Sequence, residues 1–259
     1  MDHYATDPYD AIVPVFGESQ RGEGFTHVGT GVFIELQSQP FLLTAAHVTD
    51  NLKHSQLWVP AHDSIYPIQG YVGYVDLLPE QVRSDDPVDV AYYRLDSRFA
   101  RGMLELFKIW PQTRCELIVN SLELGVCSVC GMPASRFKRS GGVYSSETAS
   151  VRGIAAPAED YERESLSPEQ NIIVRFHKKR AVSKETGKRM NPVHPRGMSG
   201  GGIFAWPPGY ELSDDWSIPK LVGVFHSYKE SKGLLIGTPL ISVLTAAMVG
   251  EMKGFGGVQ

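Results

Sequence analysis

The stretch "HPRGMSGGGIF", His194–Phe204, decides how this chain is read. It sets four glycines, Gly197, Gly200, Gly201 and Gly202, around a single hydroxyl, Ser199. Ordering glycine costs more backbone entropy than ordering any other residue, so the plain reading is a loose turn. The sharper reading is a backbone bent tightly enough to aim N–H groups at another atom. A serine hydroxyl is a weak nucleophile near neutral pH. It needs a base beside it and an acid that orients the base. The stretch therefore directs attention to the histidines and the carboxylates.

There are eight histidines. His3 and His27 lie in polar N-terminal sequence, His54 and His62 near turns, and His177 in a basic run. His47 differs, because it closes "FLLTAAH", an apolar strand followed by small residues that carries it from a core to a strand end. Taken alone, it reads as a satisfied core histidine. Among the acids, Asp85 and Asp86 precede a proline in "DDPVDVAYYRL" and read as turn residues. Asp89 opens the apolar run, where burial without a partner is costly. An imidazole would be such a partner. Taken alone, Asp89 reads as a strand-start aspartate bonded to nearby backbone.

The rest of the chain sets the frame. Its 259 residues, 42% hydrophobic, can bury a sizeable core as one large domain or two small ones. A net charge of −4 implies neither a nucleic-acid nor a membrane partner. The start "MDHYATDPYD" lacks the basic and apolar regions of a signal peptide, and the apolar stretch 234–249 is broken by Gly237, Pro239 and polar residues. The three cysteines, Cys115, Cys127 and Cys130, do not pair evenly, and "CSVC" has no second pair to complete a zinc site. Buried thiols and a cytoplasmic, intracellular protein are the expectation.

Short runs rich in β-branched and aromatic residues recur between turn signals. They fall at 11–16, 29–36, 40–45, 55–60, 68–75, 89–95, 124–131, 149–156, 171–176, 201–206, 220–227 and 233–239. So many short strands suggest barrels or sandwiches. Residues 239–253 read as a closing helix, with Pro239 early, apolar residues near helical spacing and Gly254 as a stop. Residues 159–169 carry five acids and read as an exposed loop. Residues 175–196 carry eight Lys/Arg and read as solvated loop, with docking of an acidic partner or nucleic acid as the weaker reading.

Taken together, "TAAH", "DVA" and "GMSGG", in the order His, Asp, Ser, resemble the trypsin-like (chymotrypsin-fold) serine peptidases. "GTGVFI" sits one strand before the histidine, and "LVGVF" and "GLLIGTPL" with a closing helix resemble the end of the bacterial members. The spacings are 42 residues from His47 to Asp89 and 110 from Asp89 to Ser199, the second long enough to imply insertions. The resemblance implies an all-β fold of two six-stranded antiparallel β-barrels with a C-terminal α-helix. It would form one peptidase domain over 1–259, with the first barrel over about 11–105, the second over about 106–238 and the helix over 239–253. It further implies His47 as general base, Asp89 as its orienting acid, Ser199 as nucleophile, and the N–H groups of Gly197 and Ser199 as the oxyanion hole.

Two departures matter. Met198 stands where trypsin has the aspartate that pairs with a new N-terminus, so no such activation is expected. Val48 stands where secreted animal members have a disulfide cysteine. By the same resemblance Val193 lies at the base of the primary specificity pocket, and "NPVHPRGM" holds no acid, so a Lys/Arg preference is not expected. Val193 could give a neutral pocket. His226 in "VGVFHS", helped by His194 and Arg196, could instead favour Glu or Gln, although it sits one residue late for that pattern. A solvent-facing strand-end histidine is the plain alternative.

The leading expectation is a serine endopeptidase acting on protein or peptide, without cofactor or metal. The long insertion before Ser199 suggests control by a regulatory protein partner or ligand. The alternative is a catalytically silent protease-like binding module. A membrane partner is not expected and nucleic acid is disfavoured.

Overall fold

The computed structural model describes residues 3–19, 24–50, 56–74, 80, 82, 83, 86, 88–140, 143–176 and 191–245. Each of the twelve apolar runs forms a strand. The first sheet contains β1 (Ile12–Glu18), β2 (Phe25–Leu36), β3 (Gln39–Thr44), β4 (Leu57–Ala61), β5 (Ser64–Pro67), β6 (Gly70–Tyr74) and β7 (Ala91–Leu95), in the order β5-β4-β1-β2-β3-β7-β6. The β2–β3 hairpin turns through Gln37 and Ser38 at φ 50° and 61°. Positive φ at both central residues matches the twist of the flanking strands.

The second sheet closes on itself. It contains β8 (Val126–Gly131) and, after the short hairpin of β9 (Lys138–Ser140) and β10 (Val143–Ser145), β11 (Ala149–Ala155), β12 (Ile172–Arg175), β13 (Gly202–Ala205), β14 (Lys220–Lys229) and β15 (Leu234–Pro239). Their order is β11-β12-β15-β14-β13-β8. The fold is thus mostly β, with two antiparallel barrel-like sheets, as the resemblance implied. The first has seven strands rather than six, because β4 turns back through His62 (φ 52°) to pair with β5.

Among the described residues, apolar clusters within and between the sheets hold this arrangement. Val13, Phe33, Leu42, Val59 and Tyr93 fill the first sheet, and Val129, Val151, Ile172, Val222 and Phe225 fill the second. A third cluster bridges the two, with Trp110 packed edge-on against Phe204 at 5.1 Å. Each fully buried large apolar side chain of this kind contributes about 1.5–3 kcal/mol. The site lies between the two sheets, where the ends of β3 and β8 meet the middles of β2 and β14.

Two expectations change. Residues 159–169 are not simply an exposed loop: Ala158–Glu164 form a helix. Tyr161 of that helix is buried and its hydroxyl accepts from the Ile173 N–H, while buried Asp160 takes Arg175 and Arg163 as partners. The acidic and basic segments meet, so the charge is paired as well as solvated. Pro239 ends β15 rather than opening the closing helix, which is described over 240–245; residues 246–253 lie outside the described residues, as do His54, Asp85 and 177–190 of the basic run.

Candidate active site

The apolar strand β3 ends at Thr44, and a single helical turn, Ala46–Thr49, carries His47 away from it. Asp89 sits just before β7, the neighbour of β3, and is buried. Adjacent strands thus deliver the two residues to one edge. Asp89 Oδ1 accepts the His47 main-chain N–H at 2.8 Å, and Oδ2 lies 2.6 Å from His47 Nδ1. This two-point hold fixes the ring and, with Asp89 ionised, places a proton on Nδ1 and leaves Nε2 as a base. Burial raises the pKa of Asp89, but the bonds and charge of His47, with a smaller contribution from His226, outweigh it and hold the carboxyl below its ordinary value.

Ser199 occupies a turn closed by the Gly201 N–H on the Met198 carbonyl at 2.8 Å. Gly200, third of the four residues, has φ +91°, the sign a type II turn needs there. A Cβ on Gly200 would lie 1.9 Å from the Thr30 carbonyl oxygen, so the close approach of the two sheets also requires glycine. Met198 is fully buried in the core of the second sheet and anchors the loop through apolar packing.

The peptides around Gly197 (φ +90°) are held from both sides. The Arg196 carbonyl accepts the Ala134 N–H at 2.8 Å, and the Gly197 carbonyl accepts the Thr30 hydroxyl at 2.9 Å. In a trans amide N–H and C=O point opposite ways, so the Gly197 N–H is directed away from Ala134. Among the described residues neither the Gly197 N–H nor the Ser199 N–H has an acceptor. Two neighbouring donors are therefore available to an incoming oxygen.

Ser199 Oγ donates to the His226 main-chain carbonyl at 3.0 Å. His226 in turn places Nδ1 4.0 Å from Asp89 Oδ2. Ser199, His226, Asp89 and His47 are thus contiguous. Gly29 joins them from another side: a point one Cβ away from its backbone is 2.5 Å from Val48 and 3.1 Å from the Ser199 carbonyl oxygen. The Gly29–Val48 contact packs the His47 turn against β2 without a disulfide.

The specificity candidates do not gather. His226 is 6% exposed, which overturns the solvent-facing alternative. It lies behind Asp89, because the β14 register slips between Phe225 and Ser227 and this bulge turns His226 inward. Burial lowers its pKa to about 4. His194 is half-exposed, its Nε2 3.3 Å from Glu230 and its ring edge-on to Tyr228. Val193 is half-buried beside them.

With this geometry in view, solved structures offer a comparison. Neuropsin, a serine protease of mouse brain, superposes with a TM-score of 0.54 at 12% identity over 97% of this chain and 96% of its own. The thermostable serine protease AL20 from an extremophilic microorganism gives 0.52 at 15% identity over 92% and 95%. A tobacco etch virus protease gives 0.51 at 11% identity over 99% and 84%. The fold is that of the chymotrypsin-like proteases. No protein-family model and no curated protein matches the chain.

Within this chymotrypsin-like fold the remaining groups are quiet. Burial raises the thiols of Cys115 and Cys127 to about 12, and that of Cys130 well above its ordinary value. Among the described residues no metal-ligating cluster occurs, and no helix is long and apolar enough to cross a membrane. Sequence reasoning missed Thr30. Its signal was present in "GTGVFI", quoted only as a strand.

Proposed function

We propose that the chain is a serine endopeptidase in which Ser199 attacks the scissile carbonyl, His47 is the general base and Asp89 orients it. The observation that carries this reading is the two-point hold of His47 by Asp89 beside a serine with two available N–H donors. On attack, Ser199 Oγ leaves the His226 carbonyl and gives its proton to His47 Nε2. The resulting imidazolium is stabilised by Asp89. The carbonyl oxygen becomes an oxyanion received by the Gly197 and Ser199 N–H groups, each such donor being worth roughly 3–4 kcal/mol. His47 then protonates the leaving amine, and water repeats the sequence to release the acid. The absence of an acid from Asn191 to Met198 supports cleavage after uncharged rather than Lys/Arg side chains.

A second reading, the silent binding module, is favoured by one observation: Ser199 Oγ is bonded to the His226 carbonyl and not to His47. Under the enzyme reading that bond is a resting rotamer, released when a substrate or regulatory partner engages. A peptide library separates the two. The enzyme cleaves it, mainly after uncharged residues, and Ser199→Ala abolishes cleavage. An uncleaved library, with or without candidate activators, supports the module. Cleavage unchanged in Ser199→Ala would refute the assigned nucleophile.

A further inference from the structure

Thr30, in β2, is fully buried between the two sheets, and its polar atoms are all engaged, the N–H and hydroxyl across that boundary and the carbonyl within the first sheet. Its N–H donates to the Ser199 carbonyl at 2.8 Å, and its carbonyl accepts the Thr44 hydroxyl at 2.7 Å. Its hydroxyl donates to the Gly197 carbonyl at 2.9 Å and accepts the Met132 N–H at 3.0 Å. We propose that Thr30 is a positioning residue, whose hydroxyl locks the Gly197 peptide so that the oxyanion donors stay aimed at the reacting carbonyl. This rests on Ser199 being the nucleophile.

The argument is one of hydrogen-bond direction. As a glycine, Gly197 can adopt several backbone conformations at low cost, so the orientation of its peptides depends on the bonds that hold them. Two carbonyls flank it, and both are tied to the segment leaving β8. The Arg196 carbonyl is bound directly by the Ala134 N–H, and the Gly197 carbonyl reaches the Met132 N–H through Thr30 Oγ1. A hydroxyl has one proton to donate and can still accept, so it alone bridges a carbonyl and an N–H in one small site. Valine has the same shape and can do neither. With valine, a buried carbonyl and a buried N–H lose their partner, and the Gly197–Met198 peptide, which links the two donor-bearing peptides, is held only by the Met198 N–H on the Pro195 carbonyl at 2.9 Å. Thr30 touches no substrate atom, so its effect belongs to the step in which charge develops on oxygen.

The test compares wild type, Thr30→Ser and Thr30→Val using a fluorogenic peptide substrate, a peptide boronate that mimics the tetrahedral adduct, and thermal melting. Misplacing one donor predicts that Thr30→Val lowers kcat roughly 10–100-fold with KM little changed. Boronate affinity falls by a similar factor, and Thr30→Ser restores both. Thr30→Val with wild-type kcat, or Thr30→Ser as impaired as Thr30→Val, overturns the assignment. Should Thr30→Val fail to fold, amide exchange of wild-type Met132 decides: protection equal to that of β8 supports the hydroxyl bridge, and exchange at a loop rate overturns it. A wild-type chain inert towards substrate and boronate brings down the enzyme reading, and this assignment with it.

Discussion

Ser199 and His226 are joined through the main chain: Ser199 Oγ donates to the His226 carbonyl at 3.0 Å, while the His226 ring stands behind Asp89. The Ser199 side chain is thus held by the strand whose His226 ring lies beside Asp89. Under the proposed mechanism, Oγ must leave this carbonyl to reach His47 Nε2. Asp89→Asn would disturb the tautomer and leave the Ser199–His226 bond intact. Turnover should fall by about 10⁴-fold, the loss expected when the imidazole is held with its proton on the wrong nitrogen. Steady-state kinetics on a peptide substrate, with a melting curve to verify folding, would measure this. A loss below tenfold would mean that Asp89 does not orient the base.

His226 makes stability depend on pH. Its pKa is ordinarily near 6.5 and is lowered to about 4, because burial outweighs the attraction of Asp89 and Asp86, and because His47 opposes its charge. The unfolded chain therefore binds a proton at this residue that the folded chain refuses. Stability should fall as pH drops from about 6.5 to about 4, by about 3 kcal/mol for this one group. Half-buried His27, also lowered to about 4 by desolvation, adds in the same direction. Urea titrations from pH 7 to pH 4 should show the decline, with a shallower slope in His226→Gln. An identical slope in that variant would remove His226 from the account.

Glycine is required at two positions for different reasons. Gly200→Ala puts a Cβ 1.9 Å from the Thr30 carbonyl oxygen at φ +91°, which forces the two sheets apart. It should destabilise the fold by about 3 kcal/mol or more. Gly197→Ala, at φ +90°, puts a Cβ 2.6 Å from the Ala134 nitrogen and so strains the bond that orients the Arg196–Gly197 peptide. There the barrel can stay folded while acylation is lost. Melting temperature and burst amplitude, measured on both variants, should separate these effects. Equal behaviour in the two would contradict the distinction.

Met198 replaces an ion pair with apolar packing. It is fully buried in the second sheet, and under the proposed mechanism the loop is set without a charged N-terminus. The N-terminal segment has other work: the Ala5 N–H bonds the Ile109 carbonyl, and Ala11 and Ile12 are buried. Intact mass of an active preparation should therefore show the chain uncut near residue 11. Met198→Leu should cost less than about 1.5 kcal/mol and retain activity. Met198→Asp should lose both fold stability and activity, since its carboxylate would be buried without a partner. Activity that depends on cleavage near residue 11 would contradict this account.

The parts of the fold legible in sequence were those written in local patterns. Each β-rich run became a strand because apolar and β-branched residues lie between turn residues. His47, Asp89 and Ser199 stood out because each interrupts or ends such a run. What escaped notice was non-local. The β4–β5 turn at His62 uses a positive φ without glycine. The helix Ala158–Glu164 hides one buried aromatic, Tyr161, and two paired acids, Asp160 and Glu164, among charges. His226 reads in sequence as a pocket or solvent-facing histidine, and the bulge in β14 that buries it leaves no mark on residue type. Thr30 acts only through the loop it meets 167 residues later in the chain.

The central claim is that Ser199 is a nucleophile activated by His47. Reaction with a peptidyl phosphonate, followed by mass spectrometry of the digested protein, tests it most directly. The account predicts a single adduct on Ser199 in wild type, and none in Ser199→Ala or His47→Ala. A wild-type chain that stays unlabelled with and without candidate activators, or an adduct that forms equally well in His47→Ala, would contradict it.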